Sequence, residues 1–146
     1  MGRLVSLGSS PNSFVASSLD AAVDLLRARA HDNPRLDRTF LIGGAQLYNL
    51  ALAPPPPCPP PSRPYIVERI LLTRILTDYP DCDAFLHPFE TDPRSEWTRA
   101  PHDDLVEWAG WDVPKGVQRE KDRLIKGGEQ GDKVVEYEFQ MWVRRT

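Results

Sequence analysis

The clearest periodicity in the chain lies near its end. Residues 134–143 alternate apolar and polar side chains with period two, which predicts a strand. The other regular pattern has the helical period. Leu19, Ala22, Val23 and Leu26 recur at i, i+3, i+4 and i+7, with Ser17 as the expected cap and Asp20 in capping-box position. That helix should run to about Ala30 and fade in the polar stretch 31–38. Ahead of it, residues 4–7 and 14–15 read as strand and strand end, separated by the loop formers of residues 8–13. Residues 39–42 form a brief apolar run that ends in Gly43-Gly44, and residues 45–52 have helical composition. This predicts a buried strand, a glycine turn and a helix. Residues 66–76 read as a central strand and 81–86 as a short second one. Apolar strands of this kind suit a sheet covered on both faces. Trp97, Trp108 and Trp111 fall in a stretch where strands and irregular loops are expected, the tryptophans serving as packing anchors with Trp142. Residues 120–132, charged and rich in glycine, predict a hairpin loop. Arg119–Arg123 reads as a solvated face and Arg144-Arg145 as a charged terminus. No internal repeat is present.

Proline interrupts the pattern once. Eight of the 15 prolines lie between Pro54 and Pro64. Proline lacks an amide donor and fixes φ, so residues 53–64 predict an exposed polyproline-II loop.

Length and charge narrow the function classes. One hundred and forty-six residues suit a single domain able to bury roughly 68–70% of its unfolded surface. With 40% hydrophobic and 27% charged residues, the chain is neither a disordered tail nor a fibre. Eighteen basic against 21 acidic residues give a net charge of −3, which argues against a nucleic-acid binder. No apolar run approaches the ~20 residues that span a bilayer. The first residues lack the apolar core of a signal peptide, and one arginine before residue 27 makes a weak transit peptide. Cys58 and Cys82 are expected as free thiols in a reducing compartment. His31, His87 and His102 show no metal-ligand spacing, so no metal is expected.

The glycine pair carries the most chemistry. Glycines let a backbone approach a ligand closely, and the free amides of the following helical turn attract anions, phosphate or pyrophosphate above all. Gly43-Gly44 matches neither standard glycine-rich nucleotide pattern, so taken alone it reads first as a plain tight turn, with an anion site as the alternative.

The wider sequence is more specific. Residues 40–48, Phe-Leu-Ile-Gly-Gly-Ala-Gln-Leu-Tyr, resemble the strand, glycine pair and helix of dihydrofolate reductases. Residues 70–75 resemble that family's next strand, 81–85 its acidic-then-aromatic segment, and 137–142 its last strand in eukaryotic forms. The order matches from about Arg3 to Arg144, with the proline loop as an insertion. The resemblance implies an α/β fold, a three-layer mixed sheet flanked by helices, with its N-terminal strands missing. It implies NADPH as cofactor and 7,8-dihydrofolate as substrate, reduced to tetrahydrofolate in one-carbon metabolism. A cytoplasmic monomer is expected, with a mitochondrial location as the alternative.

Residue by residue, the resemblance implies a cis peptide between Gly43 and Gly44 beside the nicotinamide. Ala45, Gln46 and Leu47 would turn their amides to the pyrophosphate. Ile42 would offer its carbonyl to pterin and nicotinamide, and Tyr48 would lie against them. Thr73 would hold the pterin's 2-amino edge; by pattern alone it is equally an inward strand residue. Arg3 would clamp the folate glutamate, Ser9 and Ser10 would approach the 2′-phosphate, and Ser18 and Leu19 would flank the adenine. The N-terminal match departs from the family at Ser6 and Gly8, which interrupt the apolar run, and at Ser10 and Ser17, where a basic residue is common.

No catalytic residue is identifiable. The family's active-site carboxylate comes from a part expected to precede residue 1, so the chain matches roughly the latter two-thirds of such an enzyme. Asp20, Asp24, Asp78 and Asp83 lie on elements that do not take that place. Two other readings stay open: a catalytically inactive relative, and an interaction protein presenting its proline-rich loop to grooves that bind polyproline-II segments.

Overall fold

In the computed structural model, which describes residues 13–32, 38–53, 65–91, 95–121 and 134–145, the first helix begins with the apolar period at Leu19, one residue later than a Ser17 cap would place it. The Ser18 hydroxyl accepts the Ala21 amide at 3.1 Å, so Ser18 rather than Ser17 caps α1 (Leu19–Asp32). Asp20 then sits in the first turn, where a carboxylate meets the positive end of the helix dipole, instead of closing a capping box. The expected stripe of Leu19, Ala22, Val23 and Leu26 is half-buried, while Asp20, Asp24 and Arg27 face solvent. At the far end the Arg29 guanidinium lies 3.6 Å from the centre of the Phe14 ring.

The chain divides into two compact units, Met1–Ile66 and Val67–Thr146. In the first, residues 39–42 form no strand ladder, and Phe40 and Ile42 are 57% and 89% exposed. The expected buried strand is therefore not formed: a strand requires a neighbouring backbone, and none among the described residues is laddered to it. The helix after the glycines is where the pattern puts it, α2 (Ala45–Leu52). The strand expected at residues 4–7 and the proline-rich loop 54–64 lie outside the described residues, as does Cys58.

The second unit is built on its last strand. β1 (Arg69–Ile75), β2 (Trp97–Arg99) and β3 (Gln118–Lys121) all pair antiparallel with β4 (Val134–Arg144). Val143 is opposite both Arg69 and Thr98, and Tyr137 opposite both Ile75 and Gln118. β1 therefore lies on one side of β4, with β2 and β3 end to end on the other. Among the described residues β4 is β1's only neighbour, so the strand read as central stands at an edge. Helices and sheet together give the α/β class. β3 and β4 are the arms of the expected hairpin, with Glu120 and Lys121 already paired inside β3.

Register separates the two faces of the sheet. Cross-strand partners share a face, which puts Leu71 with Met141 and Thr73 with Phe139 on one side. Ile70 with Trp142, Leu72 with Gln140 and Arg74 with Glu138 occupy the other. α3 (His102–Ala109) covers the first side: Leu105 packs with Met141 and Val113, surrounded by Val106, Trp108, Ala109, Phe139 and Val143. This helix falls where irregular structure is expected. Its signals are Asp103 and Asp104 in the first turn and Gly110, at φ 76°, as a left-handed C-cap. His102 Nε2 donates to the Val113 carbonyl at 2.9 Å and ties the following loop back to the helix.

On the opposite side Phe89 is buried, meeting Trp97 and Trp142 edge-on with ring centres 6.1 and 5.5 Å away. Trp111, by contrast, is 58% exposed and anchors nothing. Residues 81–86 form no strand. The Cys82 amide bonds the Tyr79 carbonyl in a turn through Pro80, and residues 81–85 are exposed, including the free thiol of Cys82. Arg144 is more than a charged end. Its Nε donates to the Val67 carbonyl, Nη1 to Glu96, and its guanidinium lies 5.2 Å from the Trp97 ring centre. Arg145 Nη2 donates to the Ser95 carbonyl at 2.7 Å.

The cap assignment has a direct test. Ser18→Ala is expected to cost about 1 kcal/mol in a urea titration, the usual worth of an N-cap, and Ser17→Ala less than half of that.

Candidate functional site

Gly43 has φ of 111°, a conformation that side chains other than glycine's rarely adopt. The peptide joining it to Gly44 is cis. The Tyr48 ring lies directly on this turn: a β-carbon placed on Gly43 would sit 3.4 Å from Tyr48 Oη and 3.6 Å from Cζ. Tyr48 reaches it because it lies one helical turn beyond Gly44.

Gly44 is extended, at φ −84° and ψ −161°, and its carbonyl starts α2 by accepting the Leu47 and Tyr48 amides at 2.9 and 3.1 Å. As N-cap, Gly44 supplies no side chain to the first turn, and that turn carries no acidic residue. The Ala45 and Gln46 amides thus have no intrahelical acceptor, as the geometry of a helix start dictates. A β-carbon on Gly44 would meet nothing within 4 Å, so the side-chain position of Gly44 faces open space. Two convergent N–H donors at the positive end of a helix dipole can hold the oxygens of a phosphate. The Leu47 amide, expected to join them, is already bonded to Gly44.

The other expected residues are distributed. Ile42 precedes the turn and is almost fully exposed. Ser18 and Leu19 begin α1 in the same unit, with the Ser18 oxygen accepting the helix amide. Thr73 lies in the second unit, exposed at mid-β1 opposite Phe139. Arg3, Ser9 and Ser10 lie outside the described residues. Among the described residues no group of three or more His, Cys, Asp or Glu is placed to hold a metal ion.

A second polar cluster was not anticipated. Trp142 Nε1 donates to Gln140 Oε1 at 3.0 Å, and Gln140 Nε2 donates to Glu138. Arg99 Nη2 donates to the other Glu138 oxygen at 2.9 Å, and Arg74 stands opposite Glu138 across the β1–β4 ladder. Gln140 is 4% exposed. Burial opposes the Glu138 charge, but the Arg99 and Gln140 hydrogen bonds and the nearby Arg99 and Arg74 charges prevail, holding its carboxyl below the usual 4.5. In the sequence these residues are the polar half of an alternating strand, which reads as a solvent face.

No protein-family model matches the chain. A dihydrofolate reductase of Cryptococcus neoformans is 35% identical over 156 residues, covering 97% of this chain and 61% of that protein. That of Pneumocystis carinii is also 35% identical, over 88% of this chain and 53% of its own length. That of Schizosaccharomyces pombe is 31% identical over 90% and 25%. Over most of its length the chain is thus similar to fungal dihydrofolate reductases, at 31–35% identity. It spans about six-tenths or less of these dihydrofolate reductases.

Two outcomes follow from this geometry. Gly43→Ala is expected to destabilise the chain by about 1–3 kcal/mol in urea, because alanine resists the positive φ. Because Glu138 is depressed in the fold, its stabilising contribution is present above the unfolded carboxylate value and lost as pH falls through the folded one. Glu138→Gln should therefore lower the urea midpoint at pH 7 and flatten its decline below pH of about 4.5 relative to the unsubstituted chain.

Proposed function

We propose that this chain takes part in the NADPH-dependent reduction of 7,8-dihydrofolate to tetrahydrofolate, with the Gly43–Tyr48 segment holding the cofactor. The observation that carries this is the uncapped start of α2. Its two amides without an intrahelical acceptor or a side-chain cap suit a pyrophosphate, in a chain whose relatives are named dihydrofolate reductase. NADPH, when bound, supplies the hydride, delivered to C6 of the pterin; the protein's share is orientation and electrostatics.

In this assignment Gly43 and Gly44 leave room for the nicotinamide. Ala45 and Gln46 give amides to the pyrophosphate, with Leu47 completing the turn. Ile42 offers its carbonyl and Tyr48 its ring. Ser18 and Leu19 flank the adenine, Ser9 and Ser10 approach the 2′-phosphate, Arg3 takes the folate glutamate, and Thr73 holds the pterin's 2-amino edge. Protonation of N5 calls for a carboxylate at the pterin, a role worth about 10²–10⁴-fold. Asp20, Asp24, Asp78 and Asp83 are all exposed and take no such part. The exposed Cys82 thiol fits a reducing compartment, and we assign the chain to the cytoplasm as a monomer. No helix among the described residues is long and apolar enough to cross a membrane.

The test is NADPH titration of the purified chain, followed by dihydrofolate-dependent NADPH oxidation. Ala45→Pro removes one open amide at a position where a helix tolerates proline. It should leave helix content and urea midpoint unchanged while weakening NADPH binding about tenfold, the loss of one charge-assisted hydrogen bond. Binding without turnover identifies a cofactor-holding piece that lacks its acid. An unsubstituted chain that ignores NADPH overturns the proposal.

A further inference from the structure

Thr73 and Arg74 are neighbours on β1, and alternation sends their side chains to opposite faces of the sheet. What restrains β1 lies mainly on the Arg74 face. There Ile70, Leu72 and Arg74 are all half-buried, whereas Leu71 and Ile75, which flank Thr73 on its own face, are 48% and 47% exposed. Arg74 is held from two sides. Its guanidinium is bonded to Glu90, from the segment after β1, and it stands opposite Glu138 on β4. Glu138 is in turn bonded to Arg99 on β2 and to Gln140. Charges of alternating sign, Glu90, Arg74, Glu138 and Arg99, thus run across a connecting segment and three strands. Arg74 is their anchor on β1.

We propose that Arg74 is a positioning residue for the substrate side of the site, fixing the roll of β1 about its own axis so that Thr73 meets the 2-amino edge of dihydrofolate squarely. This rests on the assignment of Thr73 to the substrate. The β1–β4 ladder sets where the strand runs, but among the described residues β1 is paired on one side only and can still twist, and the face that bears Thr73 offers little packing to stop it. Removing the guanidinium also leaves Glu90 and Glu138 without the cation between them, and their repulsion drives the strand away from its present angle.

The experiment is calorimetric titration of the full chain with dihydrofolate and, separately, with NADPH. It compares the unsubstituted protein with Arg74→Met, Arg74→Lys and Glu90→Gln. Arg74→Met should weaken dihydrofolate binding about fivefold or more, the size of one misplaced hydrogen bond, with NADPH affinity unchanged within about twofold. Arg74→Lys, which keeps the charge but not the fork, should restore part of the loss, and Glu90→Gln should show a smaller loss in the same direction. If Arg74→Met does not fold, the other two variants decide. Variants that lower thermal stability yet bind dihydrofolate like the unsubstituted chain make Arg74 merely structural and overturn the proposal. An unsubstituted chain that binds NADPH but not dihydrofolate overturns the Thr73 assignment and this proposal with it, leaving the cofactor assignment intact.

Discussion

The second unit depends on the backbone ladder of β4. Its residues 134–144 provide hydrogen-bond partners for β1, β2 and β3, none of which pairs with another. A strand of this kind must satisfy both of its edges and both of its faces. One face takes the apolar cover of α3 on Met141, and the other carries Trp142 together with a buried amide and a carboxylate. The burial of Gln140 is tolerable because its amide is satisfied on both sides: it accepts from the Trp142 indole and donates to the half-buried Glu138, which also accepts from Arg99. Removing either partner of Gln140 leaves a polar atom of that buried amide unsatisfied.

The legible parts of the sequence were those with local causes. α2 begins and ends where its composition changes, and β4 runs one residue beyond its period-two pattern. The cap of α1 was displaced by one residue because Ser17 and Ser18 are chemically equivalent and only backbone geometry selects between them. α3 was missed because tryptophan, proline and glycine mask an amphipathic turn, although two aspartates open it and a glycine closes it. Residues 39–42 and 81–86 show the opposite error. Apolar composition suggests a strand, but pairing is a tertiary event that no run of side chains guarantees.

The same division holds for the candidate site. The glycine pair, the following helix and Tyr48 are contiguous in sequence, so the resemblance of residues 40–48 singles them out, where local chemistry alone leaves a plain tight turn open. The Arg74–Glu138–Arg99 arrangement joins positions dozens of residues apart, brought together by register alone. Ionic residues on alternating strands look solvated until the partner strands are known. The two arginines near the end were passed over for that reason, although Arg144 bridges Val67 and Glu96.

The bare start of α2 has a thermodynamic consequence. An eight-residue helix is too short to be stable by propensity, and this one lacks the side-chain cap that helps such helices persist. A bound anion would do what a serine does for α1, accepting the first-turn amides. Ligand and helix would then be linked equilibria, with the first unit gaining about 2.7 kcal/mol at a hundredfold excess over the dissociation constant. An anion held there would thus act on the helix as a cap does, and the segment's lifetime against proteolysis would rise with that anion's concentration.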